Sequence, residues 1–504
     1  MKLIIGMGQT GFSAGRFFRR RGDAFVAADT RGADAPREAW SRAFGAGTVF
    51  GGPLAPAMFD DPALRGLTGV VLSPGLDPAA EPLRDVLAEA ARRGVRVESD
   101  IALALRHSPV PYLLITGSNG KSTVTALTAD LLTALGYRVG IGGNYGTPAL
   151  DLLVQPLDVL VLEVSSFQLE ACRADGIHAR AASVLNISPD HLDRHGTLDA
   201  YAALKQKLLV NAGTAVINLD DPIVSEMASI CEGRLIGFSA HSDETADLPT
   251  EHRYYLDVDG EALCRDDQVI AEGLSLALPG AHNRVNVLAT LALVESFAGR
   301  DALEDPRLQR SLAVFAGLPH RMQVICSRWV DGVVIRFIND SKATNVGAAV
   351  AAVEGLAAGG VAHQVVIVGG QTKGQSFEML AESLIEHADA VVLIGEGAAD
   401  IEAALDAASG GPRAGGPAIR RADSMAEAVD WAAGRAQELA RGFARGLARR
   451  PAQSGRAIAV LLSPACASYD MFRGYADRGE SFARASEASC AATLAGESLS
   501  EEVS

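Results

Sequence analysis

Short apolar runs that end at a glycine or a polar turn recur along this chain, and stretches with helical spacing separate them. Runs at 2–5, 24–28 and 69–72 come first, those at 112–115, 159–164, 182–187 and 215–218 follow, and those at 333–338, 364–368, 390–394 and 458–462 close the series. Between them the apolar residues change period. After the run at 112–115, for example, Val124, Leu127, Leu131, Leu132 and Leu135 fall at i, i+3, i+7, i+8 and i+11, one face of an α-helix. Strands that are apolar throughout, separated by amphipathic helices, specify parallel sheets covered on both faces.

At 504 residues the chain is too long for one core, and about 150 residues per domain gives three. The expected class is α/β with three domains. These are a Rossmann-like N-terminal domain over 1–108, a central P-loop ATPase-type α/β domain over 109–317, and a Rossmann-like C-terminal domain over 318–486. Residues 241–267 are polar with period-2 stretches and read as a small β excursion. The Gly/Pro-rich 409–417 and Arg/Gly/Ala-rich 441–456 read as surface insertions, and the small-residue, acidic 487–504 as a disordered tail.

Charge narrows the partners. A net charge of −16 argues against a nucleic-acid or anionic-membrane surface, so small-molecule partners are expected. Six scattered cysteines with no C-x-x-C pair fit free thiols in a reducing compartment. With no secretory leader read at 1–5 and no apolar run near ~20 residues, a cytoplasmic location is expected.

Candidate chemistry gathers where the strands end. Gly117-Ser118-Asn119-Gly120-Lys121-Ser122-Thr123 lies between a strand and a helix, as a phosphate-binding loop does. Its glycines turn backbone N–H groups toward phosphate oxygens, Lys121 reaches the β/γ oxygens, and Ser122 is placed to ligate Mg²⁺. The loop is shorter than G-x-x-x-x-G-K-[ST]. Glu163 ends a buried strand and is followed by Ser165-Ser166-Phe167-Gln168; a Mg²⁺ ligand is favoured over a helix cap. Asp190-His191-Leu192-Asp193-Arg194-His195 packs ionisable groups at another strand end, and Lys205 and Lys207 follow one helical stretch later. Spacing alone leaves the cluster equally open to a site or a satisfied surface, and reads the two lysines as a solvated face. Gly6-Met7-Gly8-Gln9-Thr10-Gly11, with Asp29 after the second strand, is a dinucleotide fingerprint that serves any pyrophosphate, so a nicotinamide-dependent oxidoreductase stays open. Two asparagine-rich segments, 280–286 and 337–345, suit reading a base edge or a hydroxyl. Gly369-Gly370-Gln371-Thr372-Lys373-Gly374 reads as an anion site or a flexible turn, and Ser463-Pro464-Ala465-Cys466-Ala467-Ser468 as a cradle for phosphate or carboxylate.

Together these motifs resemble the Mur ligases. The family-wide marks are residues 117–123, Glu163-Val-Ser-Ser166, Asp190-His191-Leu-Asp193, His282-Asn283-x-x-Asn286 and Pro319-His320-Arg321. The marks of the D-glutamate-adding branch are residues 6–11, Asp29-Thr30-Arg31, Gly142-Gly143-Asn144, 339–345 and 463–470. The resemblance implies ATP-dependent ligation of D-glutamate to UDP-N-acetylmuramoyl-L-alanine in peptidoglycan synthesis, by a monomer that uses two Mg²⁺ ions. It implies that Gly117, Ser118, Asn119, Gly120, Lys121, Ser122, Thr123, Asn283, Arg321 and Asp340 bind ATP. Ser122, Glu163, His191 and a carbamylated Lys205 would hold metal, and Lys121, Glu163, His191 and Lys205 carry the chemistry. Thr10, Asp29, Thr30, Arg31, Ser73 and Asn144 would bind the UDP-sugar, Ser165 would contact substrate, and Thr344, Lys373, Ser468 and Tyr475 would bind glutamate. Tyr475 stands where the family commonly has phenylalanine. A sibling ligase adding another amino acid, a folylpolyglutamate-type ligase and a non-catalytic nucleotide binder share parts of this pattern, and amino-acid-dependent ADP release separates them.

Overall fold

The computed structural model describes residues 1–241, 250–257, 262–272, 281–372, 374–410, 416–447 and 457–500. The chain divides into two compact units. The first comprises Met1–Ile187, Arg194–Leu274 and Val285–Leu312; the second comprises Ser188–Asp193, Ser275–Arg284 and Ala313–Ser504.

The first unit contains two sheets. β1 (Lys2–Ile5), β2 (Phe25–Ala28), β3 (Gly69–Leu72) and β4 (Arg96–Ser99) form a parallel sheet in the order β2-β1-β3-β4. Period-2 alternation sends Ile4 and Ala27 to a core with Phe17, Phe18 and Trp40, and Leu3, Ile5 and Val26 to a second core with Phe50, Leu64 and Val86. Both faces are therefore buried, which is why these strands read as unbroken apolar runs. Trp40 is fully buried, and truncating such a side chain to Ala costs about 3–5 kcal/mol.

The central sheet has nine strands: β5 (Tyr112–Thr116), β6 (Val139–Gly143), β7 (Val159–Glu163), β8 (Ala181–Val184), β9 (Thr214–Asn218), β10 (Arg234–Ser239), β11 (His252–Leu256), β12 (Ala262–Arg265) and β13 (Gln268–Glu272). Their order is β13-β12-β11-β10-β9-β8-β5-β7-β6. β5 lies between β8 and β7, parallel to both, so the loop that leaves it opens beside the ends of two strands far from it in sequence. Of the β excursion expected at 241–267, β11 and β12 lie at one edge of this sheet, β13 extends it beyond 267, and 242–249 and 258–261 lie outside the described residues.

The second unit carries β14 (Gln323–Val330), β15 (Val333–Asn339), β16 (Val361–Gly369), β17 (Ala390–Ile394), β18 (Ala418–Arg421) and β19 (Ala457–Leu462), ordered β14-β15-β19-β16-β17-β18. β14 is antiparallel to β15; the other pairings are parallel. Because β19, last in sequence, inserts between β15 and β16, the loops that follow these three strands emerge side by side at one end of the sheet.

Two expectations are corrected. Of the region read as a disordered tail, 487–500 is helical, in a helix running Tyr475–Ser500, and 501–504 lie outside the described residues. Its Phe482, Ala485 and Cys490 pack on the core of β15, β16 and β19, so apolar anchoring outweighs the polar composition. Cys326 and Cys490, 164 residues apart, form a disulfide, while Cys172, Cys231, Cys264 and Cys466 are free. Sequence spacing cannot reveal a pair that only β14 and the last helix bring together. Of the two expected insertions, 441–447 belongs to the helix Met425–Leu447, and 411–415 and 448–456 lie outside the described residues. No helix among the described residues is long and apolar enough to cross a membrane.

Candidate active site

The chain turns sharply between Thr116 and Lys121. Gly120 has φ 80°, a left-handed conformation, and a Cβ there would lie 2.5 Å from Asn286 Oδ1, so both backbone and space require glycine. The helix Lys121–Ala134 starts at once, directing its first N–H groups toward the loop. Asn186 braces the loop from β8's side: Asn119 N–H donates to its Oδ1 at 2.8 Å and Ser118 N–H to its carbonyl at 2.9 Å. Lys121 Nζ donates to the Gly117 carbonyl at 2.8 Å and the Ser118 carbonyl at 2.7 Å, which places the ammonium over the loop.

Glu163 ends β7 in register with Ile115 and is 2 % exposed. Ser122 Oγ donates to one of its oxygens and Asn144 Nδ2 to the other at 2.6 Å. The fully buried Lys205, from the helix Leu198–Gln206, donates to the Gly117 carbonyl at 2.8 Å and to Thr116 Oγ1 at 3.3 Å. Its Nζ also sits 4.5 Å from the centre of the Tyr201 ring, and Tyr201 Oη accepts from Ser118 Oγ. Ser122 and Glu163 thus offer adjacent hard oxygen ligands beside a phosphate loop, a donor set that fits Mg²⁺. The described residues contain no group of three or more His, Cys, Asp or Glu side chains placed to hold a metal, so a site here relies on hydroxyl and ligand oxygens as well.

In the N-terminal sheet, Asp29 is the focus of Asp29-Thr30-Arg31. It accepts from Met7 N–H at 2.7 Å and from the Arg31 guanidinium at 2.8 and 2.7 Å; the Arg31 hydrogen bonds hold its carboxyl down to about 2 despite burial. Ser73 N–H donates to Ile5 O at 3.0 Å, beside the turn at Gly6, while Thr10 sits half-exposed in the first helix and Thr30 is exposed. Ser165, expected at substrate, caps the helix Ser166–Glu170 in a reciprocal box with Gln168. Arg194 joins the N-terminal loop to the central sheet. Its Nη2 donates to Leu76 O at 2.8 Å and to Glu170, and its guanidinium lies 4.9 Å from the Phe167 ring centre.

The second unit holds the remaining candidates. His191 adopts φ 54° with Nε2 3.5 Å from Asp190, and Asp190 accepts from Asn345 Nδ2 at 3.3 Å. Asp340 is buried, accepting from Ser463 Oγ at 3.0 Å and Met322 N–H at 3.2 Å; burial pushes its carboxyl up to about 7. His282 is pushed down to about 4 by burial, and Asn283 beside it is 5 % exposed. Arg321 and Thr344 are half-buried, and Ser468 is buried. Tyr475 lies under the Lys342 ammonium, 3.9 Å from the ring centre. Lys373 lies outside the described residues. Sequence reasoning gave no place to the Lys342–Tyr475 contact, inside the quoted 339–345 motif, or to the buried Arg478, whose burial nothing in its helical neighbourhood signals.

Three family models match in succession: the Mur ligase MurD-like N-terminal domain at 1–98, the Mur ligase middle domain at 115–294 and the Mur ligase glutamate ligase domain at 320–441. The chain is 40 % identical over 487 residues to a UDP-N-acetylmuramoylalanine–D-glutamate ligase of Marinobacter nauticus, covering 95 % of this chain and 96 % of that one. It is 39 % identical to the protein of that name from Nitrosococcus oceani, covering 96 % and 95 %. Among solved structures, a pseudomurein peptide ligase type C from Methanothermus fervidus superposes with a TM-score of 0.53 at 16 % identity over 92 % of this chain and 97 % of that chain. A folylpolyglutamate synthase from Mycobacterium tuberculosis gives 0.51 at 20 % identity over 72 % and 92 %, and both likenesses concern the fold. With a phosphate loop, a Ser122–Glu163 pair and three matched domains in one order, this chain belongs to the Mur ligase family.

Proposed function

We propose that this chain uses ATP to join D-glutamate to the alanyl carboxylate of UDP-N-acetylmuramoyl-L-alanine. The observation that carries the reading is the Lys121 loop beside a Glu163 carboxylate whose two oxygens are held by Ser122 and Asn144. Relatives named for this ligation, 40 % and 39 % identical over nearly the full length, support the choice of substrates.

A carboxylate is a poor electrophile, so amide formation requires its oxygen to become a leaving group. Transfer of the γ-phosphoryl of ATP to that oxygen gives an acyl phosphate, which the glutamate amine attacks; the tetrahedral adduct collapses to amide and phosphate. Lys121 and the loop N–H groups orient the phosphates and stabilise charge on the transferring group. Mg²⁺, when bound, neutralises phosphate charge and fixes the in-line geometry. Ser122 and Glu163 are proposed to hold it, with His191 and a carbamylated Lys205 as further ligands. Asn283, Arg321 and Asp340 are assigned to the nucleotide. Thr10, Asp29, Thr30, Arg31, Ser73 and Asn144 are assigned to the UDP-sugar, and Thr344, Lys373, Ser468 and Tyr475 to glutamate. The enzyme is proposed to work in the cytoplasm as a monomer, with domains over 1–108, 109–317 and 318–486.

ADP release with UDP-N-acetylmuramoyl-L-alanine and D-glutamate, followed by mass identification of the product, tests the reading. Turnover that requires both is expected. Equal turnover with L-lysine or diaminopimelate, or release independent of any amino acid, would overturn it.

A further inference from the structure

Arg478 is 0 % exposed, yet among the described residues no carboxylate pairs with it. Its guanidinium is spent on three backbone carbonyls and one hydroxyl. Nε donates to Ser341 Oγ at 3.0 Å, Nη2 to Ser341 O at 2.8 Å, and Nη1 to Cys466 O at 3.1 Å and Ala467 O at 3.2 Å. One planar fork therefore ties the loop after β15 to the loop after β19. The glycine turn after β16 closes over the same group: a Cβ on Gly370, at φ 132°, would lie 3.1 Å from Nη1 and 2.3 Å from Ala467 O.

These attachments are reinforced. Gln371 and Ala467 exchange two backbone hydrogen bonds at 2.9 and 3.0 Å, joining the glycine turn to the loop after β19. Gln375 Nε2 donates to Ala465 O at 2.8 Å, at a residue with φ 60°. Ser341 Oγ, which accepts from Arg478, donates in turn to Tyr475 O at 2.7 Å. A buried cation without a carboxylate partner is costly, and here desolvation lowers the guanidinium to about 10. Hydrophobic packing would hold three loops together more cheaply, but it would not set their spacing through directed bonds.

We propose that Arg478 is a positioning residue of the amino-acid site, fixing the spacing of the two loops that bear Thr344 and Ser468 and lending positive charge to an anionic amino acid. The inference rests on the D-glutamate ligase reading. Lysine cannot replace the fork, because its single nitrogen cannot reach four acceptors on two loops.

The test is steady-state kinetics of R478K and S341A, with each substrate varied in turn and nucleotide affinity measured by calorimetry on the same preparations. R478K is expected to raise KM for D-glutamate at least tenfold while KM for ATP and the ADP affinity stay within about twofold. S341A, which deletes one acceptor and preserves charge, is expected to raise KM for D-glutamate about three- to tenfold. If R478K does not fold, S341A alone decides. Unchanged KM for D-glutamate in a folded variant, or equal rises for ATP and D-glutamate, would overturn the inference while wild-type activity with D-glutamate leaves the ligase reading standing. Absence of D-glutamate turnover in the wild type would overturn both.

Discussion

Asn144 Nδ2 lies 2.6 Å from Glu163 Oε1, and Ser122 occupies the other carboxylate oxygen. The donors come from the end of β6 and the helix after β5, so three chain segments fix one carboxylate before any ligand arrives. Such preorganisation spares the site reorganisation when phosphate charge develops. Glu163→Gln, which keeps the shape and removes the charge, is expected to raise the Mg²⁺ concentration for half-maximal activity at least tenfold. Asn144→Ala, losing one orienting hydrogen bond, should raise it less, by about fivefold. Titrating activity against Mg²⁺ checks both; an unchanged midpoint in Glu163→Gln would remove this carboxylate from the metal site.

Lys121 contacts loop carbonyls and is placed to follow charge onto the transferring phosphoryl. Lys121→Ala is expected to lower kcat by on the order of 10²-fold or more, with a smaller effect on UDP-substrate affinity. Near-normal turnover in the ADP-release assay would contradict the assignment.

Asp340 gives a pH signature. Its carboxyl is pushed up to about 7 by burial, whereas the unfolded chain titrates near 3.8. A group with a raised folded value contributes its full stability only below the unfolded value, and that contribution is lost as the pH rises through the folded one. Asp340→Asn should therefore gain on the wild type in Tm between about pH 4 and pH 7, with the difference levelling above that. Thermal melts across this range decide; a constant offset would show that Asp340 does not titrate so.

Arg194 connects the Leu76 carbonyl, in the loop beyond Ser73, to Glu170 and the Phe167 face. Arg194→Ala is expected to raise KM for the UDP-sugar about ten- to a hundredfold, since a charged hydrogen bond is worth roughly 1.5–3 kcal/mol, and to leave KM for ATP nearly unchanged. If both constants move together, Arg194 is a general support of the central sheet.

The division between sequence and structure follows from range. Parallel strands buried on both faces must be apolar along their whole length, so β1, β5, β7, β17 and β19 were legible within a residue or two. The Lys121 loop was legible because strand, glycines, lysine and helix are contiguous. Interactions between distant segments carry no local mark. The Cys326–Cys490 disulfide depends on the last helix packing against β14, and the helical state of 487–500 depends on Phe482 and Ala485 finding the core of the second unit. The capping role of Ser165 was not legible, because a capping serine and a binding serine are the same residue in sequence until Gln168 is seen to complete the box. Arg478 is the clearest case: in sequence it is one basic residue in a charged helical turn, and only the insertion of β19 between β15 and β16 brings the two loops it bonds, at Ser341 and at Cys466 and Ala467, within reach of one guanidinium.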